Sequence, residues 1–159
     1  MNDHKTYKIG LISDTHGLLR PEAVKALEGC DHIVHAGDIE DKKILKQLSR
    51  IAPVSAVRGN MDRYGWAMNL PEKDMIEACG LFIYVLHDLN AIDIDPEAAG
   101  IDVVVSGHTH KPHVHEKNGV LYVNPGSAGY RRHNNPLSVG IVMVDKKETR
   151  VQIIRFDNG

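Results

Sequence analysis

Seven side chains that can bind metal ions follow apolar segments of this sequence. They are two carboxylates, one amide and four imidazoles, in the order Asp14, His16, Asp38, Asn60, His87, His108 and His110. No thiol is among them, and a mixed nitrogen and oxygen set suits Mn, Fe, Zn, Ni or Co rather than Ca or Mg alone. Seven donors exceed one tetrahedral site. The number suits two metals that share a bridging carboxylate, an arrangement that clamps a phosphoryl group during in-line attack.

Each of these motifs also has a simpler structural explanation. The segment from Asp14 to His16 could be a turn with an Asx hydrogen bond, and Gly37-Asp38 is a common turn pair. In the segment 58–62, Gly and Asn could supply positive φ angles, and His87 could be a buried, satisfied imidazole. The segment 107–110 is the strongest single motif, because two histidines two residues apart beyond an apolar strand seldom serve packing. The joint placement of all the motifs favours a metal site.

The first half of the chain alternates predicted strands and helices. Apolar runs at Tyr7–Ser13, His32–Ala36 and Val54–Val57 predict strands. A short helix from Pro21, ended by Gly29, and an amphipathic helix at Asp41–Arg50 lie between them. This alternation predicts a parallel sheet. Ligands bind outside the carboxyl ends of the strands in such sheets, so we expect the seven donors to converge at one edge.

The second half of the chain predicts mostly antiparallel strands. Asn118-Gly119 is a strong hairpin signal, Cys79-Gly80 indicates a second hairpin, and Asp95 is expected to start a helix of one or two turns. The predicted strands are Met75–Ala78, Leu81–Leu86, Asp102–Ser106, His113–Lys117, Val120–Asn124, Ser138–Val144 and Thr149–Phe156. We therefore expect an α/β fold of two sheets packed face to face with helices outside, in a single domain spanning residues 1–159.

Composition is that of an ordinary globular protein and excludes several classes. With 159 residues, 42% hydrophobic and 25% charged, the chain is neither disordered nor a coiled coil. No apolar run approaches the roughly 18 residues that span a bilayer, so no membrane partner is expected. A net charge of −2 argues against general nucleic-acid binding. The segment Met1–Lys8 is polar, and the two cysteines do not have the spacing of a metal or redox site, so we predict a cytoplasmic protein. A homo-oligomer is compatible with the sequence.

The ordered set of motifs resembles the calcineurin-like metallophosphoesterase superfamily. That family's pattern is Asp-x-His, Gly-Asp, Gly-Asn, a His at a strand end and Gly-His-x-His, and this chain has all of these in order. The compact length and the loop Asn124–Ser127 are similar to the small bacterial and archaeal phosphodiesterase branch. The resemblance implies a four-layer α-β-β-α sandwich, with two mixed β-sheets flanked by helices.

The resemblance also implies a ligand set and a mechanism. One metal would be held by Asp14, His16, Asp38 and His110, and the other by Asp38, Asn60, His87 and His108. Asp38 would bridge the two ions and hold a bridging water, which as hydroxide would attack a small phosphodiester in line. Two divalent ions are the implied cofactors, with Mn²⁺ as the first candidate and Ni²⁺, Fe²⁺, Zn²⁺ and Co²⁺ as alternatives.

Two positions depart from the family's pattern. Met61 stands where many larger members have a histidine that assists the leaving group, and a thioether donates no proton. His87 is followed by Asp88 and Leu89, where the family often has Gly-His. The metal ligand is therefore kept, but the local substrate contact of the second histidine is absent.

Several other polar residues receive a role or a structural interpretation. Arg131 and Arg132 are predicted phosphate or leaving-group contacts, because guanidinium matches phosphate oxygens; a solvated basic loop is the alternative. His133 is a candidate proton donor to the leaving group. His35 is interpreted as structural, and so is His32. His113 and His115 alternate on one face of a strand and are interpreted as surface residues.

A two-metal phosphodiesterase is the leading functional prediction, and three alternatives accompany it. A phosphomonoesterase on small phosphorylated metabolites is disfavoured by Met61, because a departing alkoxide needs a proton. A non-catalytic interaction scaffold, similar to the retromer subunit of this fold, is disfavoured because all seven positions carry competent donors. A nuclease is disfavoured by the neutral charge balance.

Overall fold

Ten strands form two mixed sheets in the computed structural model, which describes residues 5–146 and 148–156. The first sheet contains β1 (Tyr7–Ile12), β2 (His32–His35), β3 (Val54–Ala56), β9 (Ser138–Val144) and β10 (Thr149–Arg155), in the order β10-β9-β1-β2-β3. The second contains β4 (Lys73–Ala78), β5 (Leu81–Leu86), β6 (Val103–Val105), β7 (His113–Lys117) and β8 (Val120–Asn124), in the order β4-β5-β6-β8-β7. The predicted α/β sandwich of two mixed sheets is confirmed.

Each sheet contains three neighbouring parallel strands. In the first, β1, β2 and β3 are parallel, with Ile9 opposite His32 and Ile33 opposite Val54. In the second, β5, β6 and β8 are parallel, with Val103 opposite both Ile83 and Leu121. The carboxyl ends of neighbouring parallel strands lie at the same edge, so the loops after them are brought together.

The hairpins predicted from the turn residues are formed. Cys79 and Gly80 have φ angles of 51° and 79°, and Asn118 and Gly119 have 52° and 78°. Positive φ at both central residues is the type I′ arrangement, whose twist matches that of the flanking strands. These turns set the register of β4 with β5 and of β7 with β8.

The main hydrophobic core lies between the two sheets, and a second core lies under the helices. Side chains such as Ile9, Leu11, Val34, Ile83, Val85 and Val103 fill the space between the sheets. The helices α1 (Pro21–Leu27) and α2 (Lys42–Ser49) pack through Ala23, Leu27, Ile44 and Leu48. Together with the antiparallel edge strands, this packing holds the strand ends that carry the donors.

The layer outside the second sheet differs from the prediction. Leu89, Ile92, Ile94 and Ile101 cover Tyr84 and other outward-facing residues, and one 3₁₀ turn at Leu89–Ala91 is the helical element there. The segment predicted to form a helix of one or two turns from Asp95 forms one hydrogen-bonded turn: Ala99 donates to the Asp95 carbonyl, and Gly100, with a φ of 74°, ends the turn. Within the described residues, no helix is both long and apolar enough to cross a bilayer.

Candidate metal centre

All seven predicted donors follow strand ends, and contacts join those of the first sheet to those of the second. The backbone N–H of His108 donates to Asp14 Oδ2 at 3.0 Å, although the two residues are far apart in sequence. The ring of His87, from the second sheet, lies 3.2 Å from Asp38 of the first. The site is therefore built where the carboxyl edges of the two sheets meet.

Asp14 Oδ1 is surrounded by imidazole nitrogens. The Nε2 atoms of His110, His16 and His87 lie 3.3, 3.6 and 3.9 Å from this oxygen. The rings of His16 and His110 are stacked, with centroids 5.1 Å apart. Asp14, His16 and His110 form one group whose potential ligand atoms all lie within 4.8 Å of one another.

Asp38 Oδ2 lies between histidines from both sheets. It is 3.2 Å from His87 Nε2 and 3.8 Å from His16 Nε2, while Asp38 Oδ1 accepts a hydrogen bond from the Met61 backbone at 2.8 Å. Asp14, Asp38 and His87 form a second group of potential ligand atoms within 4.8 Å. Asp14 belongs to both groups, and Asp38 Oδ2 also approaches His16 of the first group.

Asn60 and His108 complete the cluster on its exposed side. The Asn60 side-chain oxygen lies 3.2 Å from His108 Nδ1, and the His108 ring meets the His87 ring edge-on at 5.2 Å. Both residues are exposed, whereas Asp14, Asp38, His87 and His110 are buried. The cluster therefore has a buried floor of charged groups and a rim open to solvent.

Two histidines are oriented by acceptors outside the cluster. Nδ1 of His16 lies 2.6 Å from Glu40 Oε2, and Nδ1 of His87 lies 2.8 Å from the carbonyl oxygen of Ala36. A ring that donates through Nδ1 presents the lone pair of Nε2, and such acceptors fix the tautomer of metal-binding histidines. Both Nε2 atoms face the carboxylates of the cluster.

Three buried polar atoms of the cluster have no hydrogen-bond partner among the described residues. They are Asp14 Oδ1, His87 Nε2 and His110 Nδ1. Leaving a buried donor or acceptor unpaired costs about 1–3 kcal/mol, so native proteins seldom retain such atoms without a ligand. Asp14 Oδ1 and His87 Nε2 face the cluster and are ligand types that divalent cations accept, and His110 faces it through Nε2, so the residues present fit a metal site.

The electrostatic environment favours positive charge. Burial raises the pKa of Asp14, but the His110 and His16 imidazoles outweigh burial and hold this pKa well below its usual range. The Asp14 carboxylate raises the pKa of His16 to about 9, with a further contribution from Glu40 that burial opposes. A region that keeps a carboxylate ionised and stabilises an imidazolium also stabilises a cation.

Five of the seven donors have left-handed backbone conformations. Such conformations cost a non-glycine residue roughly 1–3 kcal/mol each, and they gather at functional sites where the surrounding structure maintains them. The φ angles are 55° at Asp14, 47° at His16, 57° at Asp38, 72° at His108 and 64° at His110. This strain turns the side chains after three separate strands toward one point.

Buried hydrogen bonds hold the loops that carry the donors. His35 is fully buried; its Nδ1 accepts from Gly37 N–H at 3.1 Å, and its Nε2 lies 3.0 Å from Thr15 Oγ1. Burial lowers the pKa of His35 to about 4, so it stays neutral. Asp62 accepts hydrogen bonds from the backbone N–H groups of Ile39, Glu40 and Gly59. The structural interpretation of His35 is consistent with these contacts.

The supporting roles of Glu40 and Asp62 were not visible in the sequence pattern. Glu40 has a φ of 65°, which aims its carboxylate at a ring 24 residues earlier, and no local spacing signals that contact. Asp62 accepts the N–H of Gly59, three residues earlier, whereas an Asx turn bonds the backbone two residues ahead, so turn chemistry did not signal this contact. Neither Gly59 nor Asn60 has a positive φ, so the explanation of the segment 58–62 as a loop in which Gly and Asn supply positive φ angles is wrong.

Gly59 is needed for close approach of two loops. A Cβ atom on Gly59 would overlap Asp38 Oδ1 and the Asp38 backbone nitrogen. We expect Gly59→Ala to displace Asp38 and lower turnover by about 100-fold, because a shift of about 1 Å in a catalytic group has that effect. Metal stoichiometry and turnover, measured together, test this expectation.

Gly140→Ala is the matched control, because its Cβ would make only ordinary contacts at 3.5 Å with Leu11 in β1. It should keep both metal content and turnover. Equal losses in the two variants would show that the effect of Gly59→Ala is general destabilisation rather than displacement of Asp38.

The other predicted substrate-contacting residues lie outside this cluster. Arg131, Arg132 and His133 are exposed, and His133 has a φ of 52°. Among the described residues, no hydrogen bond joins His133 to the seven donors, and none of the three lines the clefts next to the cluster. Their roles stay predictions. Met61 is 42% exposed beside Asp38, and lines one of those clefts.

Comparison with known proteins identifies relatives over almost the whole chain. The model of the calcineurin-like phosphoesterase superfamily domain matches residues 7–147. A probable metallophosphoesterase from Methanocaldococcus jannaschii is 36% identical over 159 residues, covering 92% of this chain and 81% of the relative. Another protein of that organism, named a phosphodiesterase, is 29% identical over 162 residues, covering 90% of this chain and 96% of the relative.

A solved structure has the same fold. Vacuolar Protein Sorting 29 from Cryptosporidium parvum matches with a TM-score of 0.77 at 21% sequence identity, covering 98% of this chain and all of that chain. At this identity the match supports the arrangement of the two sheets and carries no conclusion about activity.

Proposed function

The chain belongs to the calcineurin-like phosphoesterase superfamily, and from this premise we propose that it is a phosphodiesterase that uses two divalent metal ions. The observation that carries the proposal is the cluster of two carboxylates and four imidazoles with three unpartnered buried atoms. The relative named a phosphodiesterase supports the choice of reaction. Manganese is the first candidate metal, with nickel, iron, zinc and cobalt as alternatives that these ligands also accept.

The residues divide between two proposed metal positions. Asp14, His16 and His110 would hold one ion, and Asn60, His87 and His108 the other, with Asp38 shared between them. When bound, the two ions would supply a water of lowered pKa and neutralise charge on the phosphoryl oxygens. This division agrees with Asp38 Oδ2 lying near both His16 and His87.

The chain's own groups preorganise the site for that chemistry. Asp14 and Asp38 supply negative charge at a buried floor, and Glu40 and the Ala36 carbonyl orient the rings of His16 and His87. His35 and Asp62 restrain the loops, so little reorganisation is needed when charge develops on the substrate. The exposed rim at Asn60 and His108 leaves access for the ester.

A complete donor set favours an enzyme over a non-catalytic scaffold. An interaction scaffold has no need to hold five residues in strained conformations or to bury polar atoms without hydrogen-bond partners. Metal binding without turnover on any phosphate ester would favour the scaffold instead.

Met61 leads to a prediction about the leaving group. Its thioether donates no proton, so we expect diesters with acidic phenol leaving groups to react much faster than alkyl esters. Turnover should fall by about tenfold or more across a series of aryl phosphodiesters as the pKa of the leaving group rises. The preference for diesters is a separate test: bis(4-nitrophenyl) phosphate should be hydrolysed faster than 4-nitrophenyl phosphate, which has the same leaving group. Steady-state turnover with each candidate metal is the measurement.

Two results would contradict this proposal in different ways. A flat dependence on leaving-group pKa would show that a side chain supplies the proton, and His133→Ala would be the variant to measure next. Faster hydrolysis of the monoester would favour the phosphomonoesterase.

A further inference from the structure

Three aromatic side chains line a cleft beside the metal centre without belonging to it. His113 and His115 lie on β7, and Tyr122 lies opposite His115 on β8. The His115 and Tyr122 rings are stacked, with centroids 4.9 Å apart and planes within 7°, and the His113 ring lies 4.9 Å from His115. Both histidines are exposed, on the outer face of the second sheet where Tyr122 packs.

This aromatic cleft adjoins the loops that carry three of the proposed ligands. It has a volume of about 300 Å³, and its wall includes Asp88, Gly107 and Thr109, the chain neighbours of His87, His108 and His110. Asn124, paired with His113, donates through Nδ2 to the Gly107 carbonyl at 2.9 Å and to Thr109 Oγ1 at 3.0 Å.

Those hydrogen bonds fasten the ring-bearing strands to the His108 loop. His115 is two residues beyond His113, which places it about 7 Å farther along the strand. The cleft therefore extends along β7 from the loops that carry His87, His108 and His110 toward the aromatic rings.

We propose that the aromatic cleft binds a planar aromatic substituent of the phosphodiester, of the nucleobase type, while the phosphate lies at the metal centre. The proposal rests on the proposed function and adds the substrate class. Exposed imidazole rings beside the half-buried phenol ring of Tyr122 in a concave surface are stacking partners for bases, since every base has a π face. Asn90 and Lys111, also in the cleft wall, provide polar groups for the edge of such a ring.

A second cleft provides the control. It has a volume of about 380 Å³ and is lined by Met61, Arg63 and Tyr64 among others, on the side of the first sheet. Tyr64 is 82% exposed, so its ring is as accessible as those of the aromatic cleft. Tyr64→Ala removes an exposed ring near the metal centre but outside the aromatic cleft.

The test compares 4-nitrophenyl esters that share one leaving group and differ in the other substituent: thymidine 5′-, phenyl and methyl. His115→Ala should raise KM about tenfold for the thymidine ester, equivalent to about 1.4 kcal/mol of lost stacking. KM for the methyl ester should change less than twofold, and kcat should stay nearly constant because the ring does not touch phosphorus. A larger KM change for the thymidine ester than for the phenyl ester would show that the cleft prefers a nucleobase. Equal KM changes for these two esters would show that the cleft accepts any aromatic ring.

Binding without turnover provides a second measurement. In the zinc-loaded protein, thymidine 5′-phosphate should shift the NMR signals of the His113 and His115 ring protons, and the His115→Ala variant should bind it more weakly. No shift at saturation, or a selective change in Tyr64→Ala instead, would overturn the aromatic cleft assignment. An equal KM change for all three esters would overturn the assignment of a nucleobase-type substituent, because the 4-nitrophenyl ring is common to all three. If the wild type hydrolyses none of the esters, the proposed function fails, while the NMR titration still decides whether the cleft binds a ring.

Discussion

Asp38→Asn should remove at least one metal ion per molecule and lower phosphodiester turnover by about 1,000-fold. The amide carries no negative charge and offers one oxygen in place of two, so two cations would repel each other with less charge between them. Losing several kcal/mol of transition-state stabilisation corresponds to a rate loss of that size. Asp38 Oδ2 faces both His16 and His87, so this one substitution affects both proposed metal positions.

Three companion variants separate the bridge from the other ligands. His16→Ala should weaken one metal position and His87→Ala the other. Asp14→Asn is the sharpest comparison, because Asp14 Oδ1 also lies within 3.9 Å of both of these histidines. If Asp38 is the bridge, Asp14→Asn should weaken only the metal position that Asp14 shares with His16, whereas Asp38→Asn should weaken both positions.

Metal stoichiometry, turnover and circular dichroism should be measured on all four proteins. Each residue follows a strand end rather than filling the core, so the far-ultraviolet spectrum should be preserved. Two retained ions with near-normal turnover in Asp38→Asn would show that the bridge assignment is wrong. Loss of both ions in Asp14→Asn but one in Asp38→Asn would transfer the bridging role to Asp14.

Exhaustive chelation should abolish phosphodiester hydrolysis completely, and Mn(II) should restore it. The seven donors include no serine or cysteine. The proposed reaction therefore depends on the metals to activate a water. The metal-free protein should also melt at a lower temperature, since a ligand at 100 times its Kd stabilises the folded state by about 2.7 kcal/mol. Turnover measures the loss of hydrolysis, and the melting temperature measures the loss of stability.

Chelator already saturated with metal is the control, because it has the same ionic strength and removes nothing. Full activity with less than one equivalent of metal per molecule would rule out the two-metal proposal. Restored melting temperature without restored turnover would instead indicate a structural metal site.

Local sequence patterns predicted most elements of the fold to within one or two residues. Parallel strands buried on both faces read as continuous apolar runs, as β1 and β6 do, and type I′ turns require residues such as Asn118-Gly119 that tolerate positive φ. The segment after Asp95 forms one hydrogen-bonded turn, which Gly100 ends. Local propensity could not predict that this segment would cover a sheet as irregular chain.

The convergence of the seven candidate donors was also predictable from sequence, because each member occupies the same position relative to its strand. Residue type and placement after a strand are local properties, and the order of the motifs identified the family. The predicted substrate contacts had no such support from position. Arg131, Arg132 and His133 follow no strand end, and they are exposed and do not line the aromatic cleft.

The contacts that orient the site came only from tertiary packing. The sequence indicated which side chains could bind metal, but not that His108 would meet Asp14 across two sheets, or that Glu40 would orient His16. Gly59 likewise carries no local signal, since its role is to leave space for Asp38 from another loop. Periodicity reports interactions between residues a few positions apart, whereas these contacts join residues up to 94 positions apart. Such contacts exist only once hydrophobic burial has brought the two sheets together.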